Sequence, residues 1–131
     1  MTATATSTFT PIPSDFYGME AKLADREKDV LMRLRAYIET EVKPLVNDHW
    51  ARAEFFPESV VKGLADLGLF GMPWAETQPF ENSAVFRGWV ALELGRIDAS
   101  VATLVGMQNG LVANIAVVGG LLLLLQNVRP W

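Results

Sequence analysis

Glu93, Arg96 and Asp98, in the segment VALELGRIDAS, are the side chains whose types and spacing come closest to proton-transfer chemistry. A carboxylate works as a general acid or base only where burial and a partner retune its proton affinity. Arg96 follows Glu93 by one helical turn, the spacing of a structural ion pair. Asp98 stands just before an apolar run and suits a helix N-cap. The expectation is therefore a solvated or structural Glu93 on the more polar side of its helix, and a capping Asp98. His49, next to Trp50, is the sole histidine and is expected at the surface. With no cysteine and one imidazole, thiolate metal sites, disulfides and two-histidine sites are all excluded. The glycines of GLADLGLFG cross a helix end and lack the lysine of a phosphate-binding loop.

A second pattern is spatial rather than titratable. Within residues 99–118 the small residues Ala102, Thr103, Gly106 and Gly110 recur at spacings of three and four, which puts them on one helical face. Two readings stand side by side. The face admits a neighbouring helix at close range, which the spacing alone favours, or it forms a slot for an extended apolar ligand with Met107 as an adaptable wall.

The elements that would position these residues are helical, and the fold class expected is all-α. Val30, Leu31, Leu34, Ile38, Val42, Leu45 and Val46 trace one stripe of a long amphipathic helix with Asp25 as N-cap. Asp29 with Arg33 and Glu39 with Lys43 form outer-face pairs, and Pro44 should kink or stop this helix. Pro57 fits the first position of a second helix, with Val60, Val61, Leu64 and Leu67 on its apolar face and Gly68 at its end. LGLFGMPW is expected as a buried connector, residues 77–82 as a surface loop, and 83–97 as a helix with Phe86, Trp89, Val90, Leu94 and Ile97 inward. No strand alternation competes with this reading.

The 131 residues carry a net charge of −4 and are half apolar, which allows one core and disfavours nucleic acid as a partner. Residues 1–14, rich in Thr and Pro, read as a flexible arm without targeting features, so the cytoplasm is the default location. Residues 99–128 hold no charge, which raises the possibility of a membrane span. Thr103, Gln108, Asn109, Asn114 and four glycines weigh against it, because unpaired amides are costly in a bilayer.

Taken in order, AYIETEVKPL, the FP that opens the second helix, LADLGLFGMPW and VALELGRIDASVATLVGMQNGL resemble the N-terminal helical domain of the acyl-CoA dehydrogenase and acyl-CoA oxidase family. The resemblance covers about residues 15–119. The opening SDFYGMEAKLADREKDV is most similar to the branch holding glutaryl-CoA dehydrogenases and short-chain acyl-CoA oxidases. It implies an FAD-dependent oxidoreductase that oxidises an acyl-CoA thioester between its alpha and beta carbons, in a homo-oligomer of three-domain subunits. In that arrangement the flavin and the catalytic glutamate belong to a small beta domain and a C-terminal helical bundle. The N-terminal domain contributes a wall of the acyl pocket, which by position falls on Thr103, Gly106, Met107 and Gly110. Where glutaryl-CoA dehydrogenases hold an arginine and a serine, this chain has Ala102 and Thr103, which argues against a dicarboxylate substrate.

Two departures stand out. AETQPFENSAVF replaces the family's aromatic-Gly-Gly turn, as a subgroup loop would. After Gly119 the chain reads GLLLLLQNVRPW in place of a polar linker toward the beta domain, so residues 120–131 form an atypical apolar tail, consistent with a frame change or premature end in the gene of a longer enzyme. The expectation is a chain that holds no FAD stably and is inactive alone. The alternative is a non-catalytic helical interaction module, or a membrane-attached protein, that uses the apolar C-terminal segment.

Overall fold

The computed structural model describes residues 15–72 and 80–127. All regular structure among them is helical: a 3-10 turn (Met19–Lys22), then α1 (Asp25–Tyr37), a π-helical turn (Ile38–Val42), α2 (Lys43–Arg52), α3 (Glu58–Asp66), α4 (Ala84–Ile97) and α5 (Ala99–Asn127). The all-α expectation holds. The arm at 1–14, Trp74, residues 77–79 of the loop and the last residues of the tail lie outside the described residues.

The predicted stripe of the first helix is the centre of the core. Leu31, Leu34, Ile38 and Val42 are fully buried and pack with Val60 and Leu64 of α3, Phe86, Val90 and Leu94 of α4, and Val101 and Val105 of α5. Asp25 is the first helical residue rather than the cap. Ala24 takes the cap position, and its amide donates to the Glu27 carboxylate at 3.0 Å. Pro44 neither stops nor breaks this helix. The preceding turn widens to π geometry, the Lys43 amide reaches back to Ile38, and α2 continues with Pro44 in its first turn, where a missing amide costs nothing. Helix α2 ends with Ala53 in the left-handed conformation (φ 52°), closed by the Glu54 amide on the His49 carbonyl at 3.0 Å.

Pro57 is the N-cap of α3, one position earlier than its sequence position suggested. Gly63 makes room for the Tyr37 side chain of α1, since a methyl group there would overlap the Tyr37 ring. The connector after Gly68 is buried as expected at Leu69 and Met72. The described end of the next loop is not a surface segment: Phe80 and Asn82 are both buried, Phe80 edge-on to Phe86 at 5.0 Å. The Asn82 amide nitrogen donates to the Met72 carbonyl, so the loop folds back onto the connector.

Charge is distributed less simply than the sequence suggested. Glu93 is fully buried, not on a polar side, and with Glu20 it brackets the Arg35 guanidinium. Arg96 bonds Glu93 at 3.0 Å and Glu39 at 2.9 Å, extending the network to the surface pair Glu39 and Lys43. Burial weakens Arg35 as a base, but its bonds to Glu20 and Glu93 outweigh that and raise its pKa. Glu27 is likewise buried and accepts from the Ser83 amide as well as from Ala24, joining the starts of α1 and α4.

Candidate functional site

Helix α5 is set by its first turn. The Asp98 carboxylate caps it, accepting from the Ser100 amide at 2.7 Å and the Val101 amide at 3.1 Å. Its other oxygen accepts from the Trp50 indole at 2.7 Å, which pulls the end of α2 against the start of α5. Burial pushes the Asp98 pKa up, yet the bonds from Trp50, Val101 and Ser100 prevail and hold it below 3.8. Asp98 is thus a fixed anion committed to structure, and the capping role read from sequence is the one it has.

One turn further on, Val101, Val105 and Asn109 face the bundle. Asn109 acts as a clasp: its carbonyl oxygen accepts from the Met72 amide at 3.0 Å and its nitrogen donates to the Leu69 carbonyl at 2.9 Å. One side chain thereby satisfies both polar groups of a buried turn. After Asn109 no described side chain of α5 is buried, and the helix runs on to Asn127, past the expected end near 118. The leucines after Gly120 are strong helix formers and supply no stop signal. Its 29 residues span about 43 Å.

The opposite face of α5 carries Thr103, Gly106, Met107 and Gly110, all exposed. A methyl group built at Gly106 or Gly110 meets nothing within 4 Å, so no helix among the described residues packs closely against either glycine. The face is not one cavity. Thr103 and Met107 line an open groove of about 450 Å³ with Trp50, Phe55, Ser100 and Leu104. Gly106 borders a separate cleft of about 190 Å³ between α4 and α5, beside Met72, Val90, Leu94, Ala102 and Val105. Gly110 lines neither of them. Beyond Trp50 and Phe55 the first groove adjoins a hollow of about 350 Å³ walled by His49, Ala53 and Phe56.

Sequence periodicity found the helix face but missed its side wall. Trp50 and Phe55 are 65% and 57% exposed, on a segment that the bond from Trp50 to Asp98 ties to α5. His49 is half-buried rather than fully at the surface, with its ring stacked on Phe56 at 5.3 Å.

Chemically the groove can hold an apolar chain and can do little to it. Its lining contains no titratable side chain, and the buried carboxylates nearby are engaged, Glu93 by two arginines and Asp98 by three donors. No group of three or more His, Asp or Glu side chains is arranged for a metal among the described residues. The starts of α4 and α5, where a phosphate could seek amides, are capped internally by Ser83 and Asp98.

A family model described as acyl-CoA dehydrogenase, N-terminal domain, matches residues 24–120. The chain belongs to the acyl-CoA dehydrogenase family. The match runs from the cap of α1 to the glycine pair of α5 and takes in every helix that shapes the groove. No solved structure matches the chain.

Proposed function

We propose that this domain supplies the acyl-facing wall of an FAD-dependent enzyme that oxidises an acyl-CoA thioester between its alpha and beta carbons. Family membership gives the reaction class, and the observation that carries the assignment to this face is the open apolar groove along Thr103 and Met107. An acyl chain laid there exchanges water for Trp50, Phe55, Leu104 and Met107, gaining about 0.8 kcal/mol for each methylene fully buried. Gly106 and Gly110 would let it lie against the helix backbone. The groove lining contains no cation, which favours a monocarboxylic acyl group over a dicarboxylic one.

The α5 groove offers little to the pyrophosphate of FAD. A pyrophosphate needs free amides or cations, whereas the starts of α4 and α5 are capped internally and the α5 groove is apolar. Flavin binding and proton abstraction are therefore assigned to other parts of the assembled enzyme, and this chain by itself is proposed to be inactive. The cytoplasm is the proposed location.

The test is photolabelling. The full chain is irradiated with an acyl-CoA carrying a diazirine at the acyl tip, and the adducts are mapped by mass spectrometry. Adducts concentrated on 99–110 and on Trp50 or Phe55, and competed by unlabelled acyl-CoA, are expected. Adducts spread over the surface would overturn the assignment, and turnover of acyl-CoA by the chain with an electron acceptor would overturn its inactivity.

A further inference from the structure

We propose that Trp50 and Phe55 set the acyl length this domain accepts: the two rings form a partition that ends the α5 groove and keeps the acyl tip out of the hollow behind them. The assignment rests on the acyl-wall reading and names the residues that limit its substrate.

The groove and the hollow of about 350 Å³ have Trp50, Phe55 and Ser100 in common. Ser100 belongs to the first turn of α5 and so to the floor, which leaves the two rings standing between the spaces. The far side suits a hydrocarbon as well as the near side does. Its walls include His49 and Phe56, stacked on each other at 5.3 Å. Glu54, also on its rim, is paired with Arg52 at 2.9 Å. What separates the two spaces is therefore the ring pair and not a change in chemistry.

Both rings are held in place although they are exposed. The Trp50 indole donates to Asp98 at 2.7 Å, and the same buried carboxylate caps α5, so the partition is fixed to the helix that forms the groove floor. Swinging the indole aside would break a charge-assisted bond. Phe55 stands edge-on to the buried Phe56 at 6.2 Å.

The direction of the chain follows from what lies at each end. Between Ser100 and Met107 α5 rises about 10 Å. Beyond Met107 the exposed face continues over Gly110 and Asn114, so the thioester, which has to reach groups outside this domain, lies toward Met107 and the tip toward the rings. A second cleft adjoins the groove past Leu104, but Glu58, Lys62 and Gln108 line it, and a methylene chain there would strip water from charged and amide groups.

Competition by saturated acyl-CoAs of increasing length, against an acyl-CoA probe with a diazirine at its tip, tests the partition on the full chain. In the parent each methylene that becomes buried should lower the half-competing concentration about fourfold, until the chain meets the rings and the gain stops. Phe55→Ala, which leaves the Trp50 bond intact, should extend the gain by about two methylenes or more, and Trp50→Ala should extend it as well. On Phe55→Ala, long probes should place adducts on His49 or Phe56. Lys62→Ala, in the charged cleft, should leave the limit where it was. A ring that served only the fold would weaken all lengths alike and move the melting temperature without moving the limit. The same limit in the parent and both ring variants, or an equal extension by Lys62→Ala, would overturn the partition and leave the acyl-wall reading standing. No competed labelling of the parent at any length would overturn that reading and the partition with it.

Discussion

Arg35 should be the most costly polar side chain in the fold to remove. Its guanidinium, 16% exposed, lies between Glu20 and Glu93, both fully buried, with its Nε 2.6 Å from Glu93. Arg35→Met keeps the length and helix propensity of the side chain but takes the cation away from two carboxylates that water cannot reach. Breaking a buried pair in this way costs about 3–5 kcal/mol. Glu93→Gln is milder, because Arg35 keeps Glu20 and Arg96 keeps Glu39, and loss of charge-assisted bonds alone costs about 1.5–3 kcal/mol. Arg96 is 44% exposed, so solvent screens its pairs and Arg96→Gln should cost at most about 1 kcal/mol.

Urea unfolding followed by circular dichroism, at a protein concentration below the onset of association, measures all three. The discriminating quantity is the order, Arg35→Met well above Glu93→Gln and that above Arg96→Gln. A chain of this size has only about 5–15 kcal/mol in total, so Arg35→Lys, which keeps the charge and loses the fork, provides a foldable intermediate point. Replacing Glu20, Arg35 and Glu93 together by apolar residues should recover much of the loss, because desolvation of three charges disappears with their attraction. If Arg35→Met stays within about 1 kcal/mol of the parent, or Arg96→Gln matches it, the network is not the buried hub argued here.

Asn109→Leu should cost about 2–4 kcal/mol by orphaning the Leu69 carbonyl and the Met72 amide, and hydrogen exchange at Met72 should speed up with it. Ala53→Gly should stabilise the chain by about 0.5–1 kcal/mol, since φ 52° is strained for alanine and the residue is exposed; a lowered melting temperature would refute this. Asp98→Asn should cost about 1 kcal/mol near neutrality through the weakened cap. Because the folded-state pKa of Asp98 lies below 3.8, that advantage is present above 3.8 and fades as pH falls through the folded value, so the urea midpoints of parent and variant should converge in acid. Gly106→Ala and Gly110→Ala should each stabilise by about 0.5–1 kcal/mol in the monomer, as helical glycines with open space around them.

The helices were legible in the sequence because one period runs through them. Val30, Leu31, Leu34, Ile38 and Val42 leave no other structure that buries them all, and Asp98 before an uncharged run reads directly as a cap. Their ends were less legible, because Pro44 was read for what it lacks and the widened turn that accommodates it has no sequence signature. The buried charges were illegible for a related reason. Glu93, Glu20 and Glu27 look like ordinary surface acids until tertiary packing brings Arg35 and two helix starts to them. The groove was half legible: helical spacing gathered Thr103 and Met107 on one face, whereas Trp50 and Phe55 reach it from a distant segment that the indole bond to Asp98 ties to α5.

That division has a functional consequence. The groups that hold α5 in place, Asp98, Val101, Val105 and Asn109, are buried and committed on one side of the helix, and the groups of the proposed acyl wall are exposed and uncommitted on the other. Helical geometry separates the two sets, so enlarging or narrowing the exposed face changes what can lie against it without disturbing the Asn109 clasp or the Asp98 cap. In most cores a change of volume is felt as strain, because atoms crowd from every side. Around Gly106 and Gly110 nothing crowds, so single substitutions there reshape that face at little cost in stability.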